Sequence, residues 1–334
     1  MTREIGRLPK RLLDAMALER LVGSDPAIEA VKQQVLRVAK ADVTVLLTGE
    51  TGTGKELTAQ AIHYLSTRAG KPFVPVNCGA IPPHLLENEF FGHHQGAYTD
   101  ARSNQPGLVA EAEGGTLFLD EINSLPPAAQ AKLLRFLEDR SYRTLGYPRS
   151  IKADVRLLAA TNTDLNARVH EGTFRRDLFY RLQVVTLRLP PLRERLKDIP
   201  LLAEYFLRRQ TNTDNGWHFT PEALESMCGY EWPGNVRELE NVVQQLVLVN
   251  PSKVIRAEDL PWPPVPREAH LGESFRAAKA RAIMLFERSY LAGLLQTHRG
   301  NITRAAKAAG QDRRTFRRLI RKHRLDPSMW AGSR

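Results

Sequence analysis

Lys55 closes the run Gly49-Glu50-Thr51-Gly52-Thr53-Gly54-Lys55, in which three glycines let a curled backbone turn several N–H groups toward one anion. The lysine adds a mobile positive charge suited to the β- and γ-phosphates of a nucleotide. A second reactive pair, Asp120 and Glu121, ends the stretch Gly114-Gly115-Thr116-Leu117-Phe118-Leu119-Asp120-Glu121. One of two such carboxylates can hold a divalent cation while its neighbour polarises an attacking water. Generic phosphate loops follow the lysine with Ser or Thr, whose hydroxyl touches the metal; here that residue is Glu56.

Chemistry of this kind needs elements that bring both groups to one edge. The apolar run Val43 to Thr48 enters the glycine loop, and a helix-like run from Glu56 to Ser66 leaves it, so the helix dipole adds to the anion cradle. Four further apolar runs read as strands: Phe73 to Val76, Thr116 to Leu119, Val155 to Ala160 and Val184 to Leu189. Continuous apolar strands alternating with helices predict a parallel sheet covered on both faces. Beyond Pro190-Pro191 the segments Ile199 to Gln210, Pro221 to Gly229 and Asn235 to Val249 read as helices with no strand among them, a small helical subdomain. Pro251, Pro261, Pro263, Pro264 and Pro266 then mark a semi-rigid linker.

Charge divides the chain sharply. The net formal charge is +11, and residues 271–334 hold fifteen Lys/Arg against four Asp/Glu, which leaves the first 270 residues balanced. A basic module on a neutral body points to a polyanionic partner. Within it, Asn301 to Gly310 fits a short helix with Ile302, Ala305, Ala306 and Ala309 on one face. Gly310-Gln311 turns the chain, and Asp312 to His323 forms a second helix that buries Phe316, Leu319 and Ile320. Arg313, Arg314, Thr315, Arg317, Arg318 and Arg321 lie along its remaining surface, the pattern of a helix-turn-helix with a basic recognition helix for double-stranded DNA. The longer helix Phe275 to Gln296 would pair two such tails on a near-palindromic site. Two isolated cysteines, Cys78 and Cys228, give no disulfide framework, and no apolar run reaches a membrane span or a secretory signal, so the expected location is cytoplasmic.

Taken together, these residues resemble the bacterial enhancer-binding proteins, AAA+ activators of sigma-54 RNA polymerase. The resemblance rests on GETGTGKE, GGTLFLDEI, ATNTDL, GTFRRDLFYRL, LPPLRERLKDIP and WPGNVRELENV, in that order, from about Leu21 to Leu260, with a Fis-type tail beyond. It implies an AAA+ α/β parallel sheet flanked by helices, a helical lid subdomain and an all-α helix-turn-helix domain. The corresponding division is a short leader at 1–20, an ATPase core at 21–190, a lid at 191–260, a Pro-rich linker at 261–274 and a DNA-binding domain at 275–334. ATP and Mg²⁺ are the implied cofactors, held by Gly49 through Glu56, with Asp120 as metal ligand and Glu121 as general base. Asn77 would hydrogen-bond Glu121 and restrain it, Asn162 would sense the γ-phosphate, and Arg237 would reach the nucleotide from the lid. Arg175 and Arg181 would act as arginine fingers on a neighbouring subunit, which requires a hexamer or similar ring.

The same family carries GAFTGA in the loop that pushes on sigma-54. This chain reads Gly96-Ala97-Tyr98-Thr99-Asp100-Ala101, with Tyr for Phe and Asp for Gly. A second loop, Ser141 to Ser150, would move with it. The adjacent His93 and His94 lack the further ligands of a metal site. With roughly twenty residues ahead of the ATPase module, regulation is expected in trans, from a regulatory binding partner, from expression level or through another activator. The implied function is an ATP-hydrolysing activator that binds enhancer DNA and remodels sigma-54 polymerase. One alternative is a DNA-binding regulator whose nucleotide state sets assembly without engaging sigma-54, which Asp100 favours. Another is a small-molecule kinase, for which the sequence offers no acceptor motif and no use for the basic tail.

Overall fold

The computed structural model describes residues 18–97, 103–211, 216–262 and 301–323, together with the individual positions 284, 287, 290, 291, 294, 295, 297, 298 and 300. The described residues fall into two compact units, divided between Asp259 and Leu260, each taken by itself below.

In the first unit, strands β1 (Val45–Thr48), β2 (Phe73–Asn77), β3 (Thr116–Asp120), β6 (Arg156–Thr161) and β7 (Val185–Arg188) form one sheet in the order β2-β3-β6-β1-β7. Every pairing is parallel. Side chains alternate between its faces. Leu46, Leu117, Leu119, Leu157 and Ala159 enter one core, whereas Val45, Leu47, Phe118, Leu158 and Ala160 enter the other. Burial on both faces is why the three central strands, β1, β3 and β6, read as apolar runs. Between β3 and β6, β4 (Ser141–Tyr142) and β5 (Ile151–Lys152) pair antiparallel.

Helices α1 (Pro26–Ala39), α2 (Lys55–Tyr64), α3 (Leu86–Phe91), α4 (Leu108–Glu111), α5 (Pro127–Asp139), α6 (Leu165–His170) and α7 (Arg176–Leu182) belong to this α/β part. The Asp25 side chain caps α1 through the Ala27 N–H, and Pro26 occupies the first turn, where its missing donor is harmless. The lid is built from α8 (Asp198–Thr211), α9 (Pro221–Cys228) and α10 (Asn235–Val249). It is not purely helical, as the sequence reading expected: β8 (His218–Phe219) and β9 (Val254–Ile255) pair in parallel beside them. Two-residue strands are too short to show an alternation. Trp232 is fully buried at the turn into α10 and donates through Nε1 to the Met227 carbonyl at 2.8 Å.

His63, near the end of α2, is fully buried, with Nδ1 2.9 Å from Thr116 Oγ1. Burial pushes its pKa from the ordinary 6.5 down to about 4. The unfolded chain takes up this proton near pH 6.5, the folded chain only near 4. The stabilisation is therefore complete above pH 6.5 and is lost as pH falls through that window, by about 3 kcal/mol at its acid end. Urea unfolding of wild type and His63→Leu at pH 7 and pH 4.5 should show a steeper acid loss for wild type. Equal pH dependence in both proteins would rule this contribution out.

In the second unit, α11 (Ile302–Ala308) and α12 (Arg313–Lys322) are capped by the side chains of Asn301 and Asp312. Gly310, at φ +64°, makes the turn between them. Ala305, Ala306, Phe316 and Ile320 form a small core with Leu291 and Leu295. Most of the span 275–296, expected as one helix, lies outside the described residues; helical Glu287 accepts from Lys322 Nζ and lies within hydrogen-bond reach of the buried His323, both at 2.7 Å.

Candidate nucleotide site

The parallel register assembles the site. Asn77 pairs with Asp120 at the carboxyl edge, and Thr48 pairs with Thr161, so the glycine loop and Asn162 emerge side by side. Ligands of open parallel sheets bind at this edge. One cleft there is lined by Thr51, Gly52, Gly54, Lys55, Glu56, Asn77, Asp120, Glu121, Asn162 and Arg237, together with Leu57, Val236 and Glu240. Gly54 stands at the N-terminal end of α2 with φ +102°, and no heavy atom lies within 4 Å of where a Cβ would sit. This is an open cradle at a helix N-terminus, the arrangement that suits phosphate.

Lys55 is buried, and its Nζ donates to the carbonyls of Gly49 (2.7 Å) and Glu50 (2.9 Å). Burial lowers its pKa, while Asp120 and Glu121 act in the opposite direction. Asp120 Oδ1 accepts from the Glu121 N–H at 2.9 Å, and Glu121 holds a left-handed backbone at φ 53°. Among the described residues no cluster of three or more His, Cys, Asp or Glu could hold a metal unaided. A Mg²⁺ on Asp120 would therefore complete its shell from phosphate oxygens and water, its usual habit. With Lys55 and Arg237 as cations and Asp120 as an oxygen ligand, the donor set fits a magnesium-bound polyphosphate.

Asn162 Nδ2 donates to Thr51 Oγ1 at 3.3 Å, so it reaches the loop directly. Asn77 differs from expectation. Its Oδ1 accepts from the N–H groups of Gly79 (2.8 Å) and Ala80 (3.2 Å), an Asx turn, and it makes no hydrogen bond to Glu121. The two side chains still adjoin, since a Cβ on Gly79 would lie 2.5 Å from Glu121 Oε2 and 3.3 Å from Asn77 Oδ1. Arg175 and Arg181 do not line this cleft. Arg175 is paired with Asp177 by two hydrogen bonds (3.0 and 2.7 Å), and Arg181 donates to the Leu137 carbonyl at 3.2 Å.

Sequence reasoning missed the lid's grip on the loop. Glu50 does not line the cleft; Arg193 takes its carboxylate with two hydrogen bonds (2.8 and 2.5 Å), and Asn235 Nδ2 adds a third at 3.1 Å. Asn235 is fully buried at φ 54° and also donates to the Thr51 carbonyl (3.1 Å). The Val236 N–H donates to the Gly52 carbonyl (3.0 Å), and the buried Arg195 donates to that of Thr53 (3.2 Å). The signal lay in LPPLRERLKDIP and WPGNVRELENV, where polar residues sit beside the prolines that bend the chain into and within the lid.

The loop expected to push on sigma-54 has only its first residues, Gly96 and Ala97, in view; Tyr98, Thr99, Asp100 and Ala101 lie outside the described residues. Its stem is zipped to the second loop. His94 N–H donates to the Leu145 carbonyl (2.9 Å), Leu145 N–H to that of Gly92 (3.0 Å), and the His94 and Tyr147 rings stack at 4.6 Å. His93 instead pairs with Gln105 through backbone hydrogen bonds in both directions.

On α12, Arg313, Arg314, Arg317, Arg318 and Arg321 are exposed and Thr315 is half-buried. No described helix is long and apolar enough to cross a membrane.

Residues 21–188 match the Sigma-54 interaction domain, and residues 193–274 match an AAA+ ATPase lid domain. The chain belongs to the sigma-54 interaction domain family. It is 45% identical over 310 residues to the transcriptional regulatory protein GlrR of Escherichia coli K12, covering 92% of this chain and 69% of that protein. With the regulatory protein AtoC of the same strain it shares 41% over 344 residues, 98% of this chain and 73% of that one. The structure of NtrX from Brucella abortus in complex with ATP superposes with a TM-score of 0.68 at 34% identity, covering 91% of this chain and 69% of that chain. A closed-state Hsp104 reconstruction, at 17% identity and a TM-score of 0.51, shares the fold. The chain thus carries an AAA+ ATPase-type domain of the kind found in transcription activators that interact with sigma-54.

Proposed function

We propose that this protein hydrolyses ATP between adjoining copies and uses the cycle to remodel sigma-54 RNA polymerase from an enhancer site. The observation that carries the reading is the single cleft in which Lys55, Asp120, Glu121, Asn162 and Arg237 meet. Lys55 and the backbone N–H groups of Gly52 to Lys55 hold the β- and γ-phosphates, and Arg237 closes on them from the lid. Glu121 accepts a proton from the attacking water, and Asn162 positions it. Mg²⁺, when bound at Asp120, would neutralise phosphate charge. The exposed Arg175 and Arg181, outside their own chain's cleft, serve the neighbouring copy's phosphate in a ring, a hexamer or similar assembly. An arginine so placed is worth about 10³–10⁵ in rate in nucleotide hydrolases.

Asp120 and Glu121 share the carboxyl edge with Asn77, so a change at the γ-phosphate moves Glu121 against the Asn77–Gly79 turn. The zipped stems of the two loops then deliver the displacement to Tyr98. Residues 21–190 are the motor, 191–260 the lid and 275–334 a helix-turn-helix, with Arg313, Arg314, Thr315, Arg317, Arg318 and Arg321 of α12 on double-stranded DNA.

Transcription from a sigma-54 promoter separates this reading from a regulator that uses nucleotide only to assemble. Open complexes should form with ATP and fail with a non-hydrolysable analogue. Equal activity with both would defeat the remodelling reading and leave the assembly reading. Phosphate release without any acceptor is also expected, and its absence would favour a kinase.

A further inference from the structure

Four consecutive loop residues are each held by a lid residue: Glu50 by Arg193, Thr51 by Asn235, Gly52 by Val236 and Thr53 by Arg195. Three of these contacts end on backbone carbonyls. The fourth ends on a charge. Glu50 is second in a loop that, on the function proposed above, must receive a polyanion, and a carboxylate free to swing there would repel it. Instead both its oxygens are taken by the Arg193 fork, and Oε2 also accepts from Asn235. The Glu50 and Arg193 side chains are 41% and 38% exposed, so the pair can open without disturbing a core.

We infer that Arg193 is a positioning residue: its bidentate grip holds the Glu50 carboxylate on the lid and out of the phosphate cradle. Docking of the lid and affinity of the loop for phosphate are then one linked equilibrium. A lid that lifts releases Glu50, and the freed charge lowers phosphate affinity as the cleft opens. Arg193 and Asn235 hold the Glu50 pKa down to about 2 while the lid is docked, and a released glutamate at its ordinary value is still charged at neutral pH, so it cannot escape by protonation. Lysine could supply the charge of Arg193 but not its planar fork.

The inference rests on the loop being a nucleotide phosphate site, and the experiment keeps the two apart. N-methylanthraniloyl-ADP is titrated into the full chain carrying Arg193→Ala, Arg193→Lys, Glu50→Gln or Glu50→Gln with Arg193→Ala, each checked by its melting transition. Wild type should bind. Arg193→Ala should weaken binding about tenfold, the scale of one uncompensated nearby charge, and Arg193→Lys by less. Glu50→Gln alone should stay within about threefold of wild type, and the double variant should return to that range, because the harmful charge is gone. The defect of Arg193→Ala should also shrink as salt is raised. A double variant as weak as Arg193→Ala, or an Arg193→Ala that binds like wild type, would overturn the inference while leaving the nucleotide site intact. Wild type that binds no nucleotide would overturn both.

Discussion

Glu121→Gln is expected to bind ADP as wild type does and to release phosphate from ATP about 10²–10⁴-fold more slowly, the range of a lost general base. The substitution keeps the side chain's size but removes both its proton acceptance and its negative charge, a loss that does not weaken binding of a polyanion. Its neighbours explain why binding should survive. Glu121 follows β3 at a left-handed backbone position, with its own N–H spent on Asp120 Oδ1, so it reaches the cleft from beside the metal ligand. Neither of the groups beside it at the end of β2, Cys78 and Asn77, is suited to replace it. The buried Cys78 thiol is pushed up to about 12, by burial first and then by Asp120 and Glu121, so it stays protonated. Asn77 carries no titrating proton and is engaged with Gly79 and Ala80. Steady-state phosphate release and an ADP titration on the same samples check the prediction. Turnover within tenfold of wild type would remove Glu121 from the role of base.

Much of this site was legible because its chemistry and its framework share one pattern. An apolar strand burying both faces has no polar positions until it ends, so Asp120-Glu121 and the Gly49 loop mark the sheet's carboxyl edge directly. The basic face of α12 was equally plain, since Phe316 and Ile320 alone of its longer apolar residues are fully buried. What stayed hidden was partnership across distance. Glu50 reads as a loop ligand because it lies inside the loop, but its partner Arg193 is 143 positions away, and nothing local records that the carboxylate turns to the lid. Asn235 reads as a helix start. At its left-handed backbone position one buried amide serves Glu50, Thr51 and Leu192, partners that only packing of lid and loop brings together. Asn77 reads as a partner of Glu121, but its Oδ1 is taken by a local Asx turn with Gly79 and Ala80, which leaves only its Nδ2 to donate to a carboxylate.

Gly52→Ala is expected to destabilise the ligand-free chain by roughly 3–4 kcal/mol and to weaken ADP binding by about a hundredfold or more. Gly52 has φ +79°, where a Cβ alone costs about 1–2 kcal/mol. That Cβ would lie 2.2 Å from the Gly234 carbonyl oxygen and 3.1 Å from Arg237 Cβ. A backbone oxygen cannot rotate aside, so the start of α10 must retreat. Retreat breaks the Val236 N–H bond to the Gly52 carbonyl and strains the Asn235 bond to Thr51, each worth about 1 kcal/mol, and it carries Arg237 away from the cleft. Gly54→Ala is the control. It has the same kind of strain, at φ +102°, but open space around the added carbon, so only the conformational part of about 1–2 kcal/mol should appear in the ligand-free chain. Urea unfolding of both variants without nucleotide makes the comparison: if Gly52→Ala is no less stable than Gly54→Ala, the lid does not rest on the loop as described, and the coupling between them has lost its physical basis.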